Sequence, residues 1–212
     1  MSQDFYLKQL EVGPMENFVY LIGDQEIGEC IMIDPAWDVQ SVLKQAEADG
    51  MKVVGGLVTH THFDHVNGAK DLLGQTKSKL YVNKNEAGFL KEMQGEIVSV
   101  DSGYVLEIGK VKIEFLHTPG HTPGSQCFLV RGHLVSGDTL FISACGRCDL
   151  PGGNPAQMYE SLQRLAKLRD DTVLLPGHNY ADIPQSTMAQ EKRENPYYQI
   201  PSLQDFLNLR MR

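Results

Sequence analysis

No stretch of this 212-residue chain approaches the ~18 consecutive apolar residues of a membrane-crossing helix, so a bilayer-spanning role is not expected. The N-terminal MSQDFYLKQL alternates polar and apolar residues and has no continuous apolar centre. That is not the pattern of a secretory signal, and a cytoplasmic location is the expectation. Positive charge is scarce. Nineteen Lys and Arg face 27 Asp and Glu, and the formal net charge of −8 opposes binding to nucleic-acid phosphates. Cysteine is sparse too. Cys30 and Cys127 lie in apolar, strand-like segments and read as buried thiols. Cys145-Gly-Arg-Cys148 has C-x-x-C spacing, but there is no second C-x-x-C and no thioredoxin-like context. It reads as a site loop that happens to hold two thiols. Low-complexity segments are absent, and 42% apolar with 22% charged residues is an ordinary globular composition. One domain over 1–212 with a short helical C-terminal tail is expected.

Histidine is what the chain concentrates. Three of its seven histidines and a carboxylate fall in His60-Thr61-His62-Phe63-Asp64-His65, directly after a strand-like segment, Lys52 to Val58. Side chains two apart in extended chain point the same way, about 6–7 Å apart at the backbone. His60 and His62 can therefore close on one ion at Zn–N distances of about 2.0–2.1 Å. Asp64 and His65 follow as the chain turns toward a short helix from Asn67, a good N-cap, and can reach a second ion.

The rest of the pattern alternates strands and helices. Strands are expected at Phe5 to Val12, Asn17 to Gly23, Cys30 to Ile33, Lys79 to Val82 and Thr172 to Leu175. Hairpins are expected to turn at Gly109-Lys110 and at Arg131-Gly132. Helical spacing marks Val39 to Ala48, with Asp38 as N-cap, and Pro155 to Leu168. Shorter helical pieces are expected at Ala69 to Leu73, Asn85 to Lys91 and in the tail, Gln185 to Arg212. Thr139 to Asn154 reads as a long loop. His121, Asp138 and His178 each follow a glycine just beyond a predicted strand, so their side chains are expected at one rim of a sheet.

His60-Thr-His-Phe-Asp-His65, Thr118-Pro-Gly-His121-Thr, Gly137-Asp138 and Pro176-Gly-His178, in this order, resemble the metallo-β-lactamase fold superfamily. The similarity is to its glyoxalase II-like branch. Asp34-Pro-Ala-Trp-Asp38, Cys145-Gly-Arg147 and Glu191-x-x-x-Asn195-Pro196 resemble small bacterial members of that branch. Asn17-Phe-Val-Tyr-Leu-Ile and Asp34-Pro-Ala-Trp-Asp38 resemble those among them that are zinc hydrolases associated with polyketide synthesis. The resemblance implies an α+β fold, a four-layer αββα sandwich with a binuclear metal site on one edge. It implies that His60, His62 and His121 hold one ion, that Asp64, His65 and His178 hold the other, and that Asp138 bridges both. Two divalent cations are implied, zinc first, with iron or manganese also suited to His/Asp donors. Class B1 β-lactamases carry cysteine where this chain has Asp138, which argues against lactam hydrolysis.

The expected activity is hydrolysis of a small-molecule or carrier-bound thioester, with hydroxide generated between the cations as nucleophile. A thiol that ionises near ~8.5 leaves without an acid, and Asp64 is the expected proton acceptor, with Asp138 as its catalytic partner. Arg147 and Tyr180 match positions that face substrate in the family. Asp34 is read either as a support for a ligand imidazole or as a turn-former before Pro35, and Trp37 either as lining of the site mouth or as a core cap. His117 and His133 are not expected among the ligands. Only 34 residues follow His178, so the basic glutathione-holding extension of glyoxalase II is not matched. The rival expectation is a mono-iron persulfide dioxygenase of the same fold, which Cys145-Gly-Arg147-Cys-Asp149 also resembles, although Pro-Gly-His178 suits the hydrolases better.

Overall fold

The computed structural model describes residues 4–210; Met1 to Gln3 of the N-terminal segment and residues 211–212 of the tail lie outside them. Strands β1 (Phe5–Val12), β2 (Asn17–Asp24), β3 (Glu29–Ile33), β4 (Lys52–Leu57), β5 (Lys79–Asn83) and β6 (Glu96–Val100) form one sheet in that order. β1 to β3 pair antiparallel and β3 to β6 parallel. The second sheet holds β7 (Val105–Ile108), β8 (Val111–His117), β9 (Gln126–Val130), β10 (His133–Gly137), β13 (Val173–Pro176) and β14 (Ser186–Thr187). Its order is β14-β13-β10-β9-β8-β7. A two-stranded ribbon, β11 (Leu140–Phe141) and β12 (Ala144–Cys145), lies between β10 and the next helix.

The two sheets meet face to face, and strand periodicity decides which residues go between them. In β2 every residue is buried. Phe18, Tyr20 and Ile22 enter the inter-sheet core with Phe115 and Phe128, while Val19 and Leu21 face the helical layer of the first sheet. Period two thus fills two cores from one strand. Helix α1 (Val39–Ala48) turns Val39, Val42 and Ala46 onto that outer face, and the Asp38 carboxylate accepts the Ser41 N–H at 3.1 Å as the expected N-cap. Helix α3 (Ala69–Thr76) adds Leu72 and Leu73. On the far side, α4 (Pro155–Leu165) buries Met158, Leu162 and Leu165 against Leu134 and Leu174. The short helices α5 (Met188–Glu194) and α6 (Leu203–Arg210) complete that layer. The architecture is the αββα sandwich, an α+β fold. No helix among the described residues is long and apolar enough to cross a membrane.

Several boundaries differ from the sequence reading. Asn67 is not an N-cap. It ends helix α2 (Phe63–Val66), and its side-chain oxygen accepts the Trp37 N–H at 2.7 Å. Asn85 to Lys91 is only a 3-10 turn over Ala87–Leu90. β6 was not anticipated, because an edge strand with half-exposed Ile97 and Val98 lacks a clean apolar alternation. The expected loop Thr139 to Asn154 contains the β11–β12 ribbon, and α4 stops at Leu165.

Candidate metal centre

Five strand ends converge on one rim. Asp34 follows β3, the His60–His65 segment follows β4, His121 lies between β8 and β9, Asp138 follows β10, and His178 follows β13. The start of β2 joins them: Phe18 donates its N–H to the Gly177 carbonyl at 2.8 Å, and Asn17 bridges to His178. Two glycines permit this crowding. A Cβ on Gly177 would lie 2.4 Å from Asp138 Oδ1, and one on Gly146 would lie 1.7 Å from the Asp138 carbonyl.

All seven predicted ligands come together there. His62 Nδ1 lies 3.1 Å from His60 Nε2 and 2.9 Å from His121 Nε2. His65 Nε2 lies 3.1 Å from His178 Nε2, and Asp64 Oδ2 is 3.4 and 3.3 Å from those two nitrogens. Asp138 faces both groups. Its Oδ2 is 3.6 Å from His121 Nε2, while its Oδ1 is 3.4 Å from His65 and 3.5 Å from His178.

The outward partners set the tautomers. His65 Nδ1 is held by Asp34 at 2.9 Å, His121 Nδ1 by the Arg147 carbonyl at 2.8 Å, and His178 Nδ1 by the Met15 carbonyl at 2.8 Å. His60 Nδ1 faces Thr59 Oγ1 at 3.1 Å, and that hydroxyl donates to Asp34 at 2.7 Å. With each Nδ1–H donated outward, four Nε2 lone pairs point inward, together with Nδ1 of His62. Lone pairs aimed at one another across about 3 Å repel unless cations lie between them. Asp138 Oδ1 is buried without a hydrogen-bond partner. This donor set fits divalent ions: His60, His62 and His121 form one group, Asp64, His65 and His178 another, and His60, His65 and Asp138 a third.

The electrostatics of the protein groups point the same way. Burial lowers His60 well below the usual histidine range, and neighbouring His65 adds to the shift. Burial also lowers His62, with His121 beside it. At His65 burial is outweighed by Asp138 and Asp34, which raise it well above that range. At His178 burial is likewise outweighed, by the adjacent carboxylates of Asp138 and Asp64, and its pKa rises to about 9. Asp138 and Asp64 are held below the usual carboxylate range, because nearby His65 and His178 more than offset their desolvation. Two anions and two cation-prone imidazoles share one buried spot, which is charge a pair of metal ions would replace.

Support for the ligands goes beyond what the sequence suggested. Buried Glu86 accepts from Thr61 N at 2.6 Å, Thr61 Oγ1 at 2.8 Å, Gly124 N at 2.9 Å and the Thr122 hydroxyl. It ties the His60–His62 loop to the His121 loop. Asn17 donates from Nδ2 to Asp64 Oδ2 at 2.9 Å, and its Oδ1 accepts the Trp37 indole N–H at 2.7 Å. An indole only donates, so the orientation of the Asn17 amide is settled. No motif marks Glu86; only tertiary contact finds it.

The remaining candidates fall as follows. Asp34 is a support for a ligand imidazole, not merely a turn-former. Trp37 does not line the cavity over the cluster; it packs on the outer core of the first sheet and meets Phe63 edge to face at 6.0 Å, with Phe63 70% exposed. Tyr180 stacks on His178 at 4.6 Å and lines the cavity over the cluster. Arg147 lines it as well, but its guanidinium is paired in two bonds with Asp149, at 3.0 and 2.7 Å. Its carbonyl, on His121, makes the contact that supports the cluster. His117 and His133 bond the Pro123 and Arg131 carbonyls and stand outside the cluster. All four cysteines are buried thiols, and burial pushes Cys30 to about 12 and Cys127 to about 11.

Comparison with known proteins agrees with this geometry. The profile of the Metallo-beta-lactamase superfamily matches residues 12–178. The chain is 31% identical over 197 residues to the probable polyketide biosynthesis zinc-dependent hydrolase BaeB of Bacillus velezensis, covering 92% of this chain and 88% of that one. It is 34% identical over 185 residues to the hydroxyacylglutathione hydrolase of Photobacterium profundum, covering 87% and 70%. Among solved structures, ETHE1 from Myxococcus xanthus superposes with a TM-score of 0.89 at 30% identity, over 97% of this chain and 90% of that one.

Proposed function

The chain belongs to the metallo-beta-lactamase superfamily and is a metal-dependent hydrolase; from that premise we propose that it hydrolyses thioesters, small-molecule or carrier-bound, at a binuclear centre. The observation that carries the reading is Asp138, whose two oxygens face two separate groups of histidine nitrogens. His60, His62 and His121 would hold one ion, Asp64, His65 and His178 the other, and Asp138 both. Two divalent ions, zinc by the names of the relatives, would supply a water that ionises near neutral pH and a Lewis acid for the acyl oxygen.

The protein's own part is positioning and proton handling. Asp34, Thr59 and the carbonyls of Met15 and Arg147 hold the imidazoles in one tautomer, so no reorganisation is needed during the reaction. Asp64, which lines the cavity and is steadied by Asn17, relays the proton released when water attacks the acyl carbon and does not keep it, since its carboxyl is held below the usual range. A general acid is not required, because a thiolate leaves near its own pKa of ~8.5. Tyr180 is poorly suited to that role in any case, since burial first, then Asp138, pushes its hydroxyl to about 12.

Metal analysis with a thioester panel followed by free-thiol release tests the reading. About two zinc per chain with thioester turnover is expected. A mono-iron persulfide dioxygenase is the second reading, compatible with the likeness to ETHE1. One iron per chain with thiol-dependent oxygen uptake would establish it instead.

A further inference from the structure

The cavity over the cluster, about 370 Å³, has a polar floor and an apolar wall. The floor is the cluster itself. The wall is Met15, Phe141, Ile142, Leu150, Tyr180 and Ala181. Among the described lining residues outside the cluster, Arg147 carries the single charged side chain, and it is paired in two bonds with Asp149. Apart from Tyr180, whose ring stacks on His178, no wall side chain offers a strong donor or acceptor, so a hydroxyl or charge pressed against Phe141, Ile142 or Leu150 would lose water without gaining a side-chain partner. An alkyl or aryl group would gain from every carbon buried.

The wall is held in shape by a motif that the metal chemistry leaves unused. Glu191 and Asn195, both buried, reach from α5 and its end to the β11–β12 ribbon. Glu191 Oε2 accepts the Ser143 N–H at 2.8 Å, where Ser143 turns through a positive φ of 57°. Asn195 Nδ2 donates to the carbonyls of Phe141 at 3.2 Å and Ala144 at 3.0 Å, and to Glu191 at 2.9 Å. Phe141, Ile142 and Ala144 are thereby fixed at the cavity before any ligand arrives.

Resting on the thioester reading, we propose that this cavity is an acyl pocket for an apolar, short to medium-length acyl group, with the β11–β12 ribbon and its Glu191–Asn195 clamp as the element that selects it. Its volume lies at the small end of ligand pockets, roughly 300–1,000 Å³, which suits an acyl chain and not a whole carrier. The hydroxyacyl group named in one relative would leave its hydroxyl without a side-chain partner wherever it met Phe141, Ile142 or Leu150.

The test uses the metal-loaded protein with acetyl, butanoyl, hexanoyl, octanoyl and lactoyl thioesters of one neutral thiol, N-acetylcysteamine. In parallel, calorimetry measures binding of the corresponding acids, all of which present the same carboxylate. Both kcat/KM and acid affinity are expected to rise about fourfold per methylene (~0.8 kcal/mol each) up to hexanoyl. Leu150→Trp should reverse the order beyond butanoyl, with metal content and thermal midpoint confirming the fold. Asn195→Ala should flatten the series. A flat series in the unaltered protein, or a preference for lactate over butanoate, overturns the proposal. If no thioester turns over, the thioester reading fails, and the acid series still decides the pocket.

Discussion

Glu86→Gln probes the link between the two ligand loops with the smallest change in volume. The carboxylate accepts two backbone N–H groups and two hydroxyls. A carboxamide oxygen can keep either the Thr61 pair or the Thr122 and Gly124 pair, and its amino group then faces the other. A threonine hydroxyl can rotate and accept from that amino group, but the backbone N–H of Thr61 or Gly124 cannot. One stranded buried N–H costs ~1–3 kcal/mol, and loss of the charge-assisted bonds adds about 1 more. The expected loss is about 2–4 kcal/mol, or roughly 5–15 °C in thermal midpoint for a chain of this size. Because Glu86 grips Thr61, between His60 and His62, and Thr122, beside His121, the damage should fall on the three-histidine group. Thermal unfolding of the loaded variant, with stepwise withdrawal of metal by a chelator and ion counting at each step, reads both effects. On the binuclear reading proposed above, the ion at the three histidines should leave about 10–100-fold more readily, while the one next to Asp64, His65 and His178 should be held as before. A variant that melts within about 1 °C of the original and loses both ions together would refute this account.

Trp37 is the sole tryptophan, and its indole reaches Asp64 through Asn17, so its emission should change on metal loading. Asn17→Leu should abolish that change; an unaltered titration curve would show that Asn17 does not couple the two. Asp34→Ala strands the Thr59 N–H and His65 Nδ1, and should weaken metal retention about 10–100-fold, with ion counting after dialysis as the check. In chelated protein His178, raised to about 9 from 6.5, contributes stability that is complete below about 6.5 and lost as pH rises through about 9. Its thermal midpoint should fall across that window while that of loaded protein stays level, and parallel curves would contradict the assignment. Cys30 and Cys127, raised by burial to about 12 and 11, should resist alkylation at pH 8 in the native state and react on unfolding, as peptide mass mapping would show.

The identity of the cluster was written in the chain, because metal donors must be particular side chains at particular strand ends. His60 and His62 share a face by strand periodicity, and the glycines before His121, Asp138 and His178 announce sharp turns where a Cβ would collide. Helices α1 and α4 declared themselves through apolar spacing, and α1 also through its cap Asp38. Edge strand β6 and the β11–β12 ribbon did not, since short or half-exposed strands take their stability from neighbours and carry little local pattern.

Only the folded chain decided what surrounds the cluster. Glu86 lies 24 residues from His62 and 35 from His121 in sequence, and nothing near it hints that it binds both loops. Asn67 has the chemistry of an N-cap, yet a stronger use, closing the Trp37 turn, was available once α2 packed. Arg147 carries a charge that suggests substrate; the fold adds a pairing with Asp149 and a second use, its carbonyl holding His121. A ligand needs the right atom, which sequence names. Holding that atom to a fraction of an ångström needs partners from distant segments, and hydrogen bonds of that kind exist only after the two sheets have closed on their shared core.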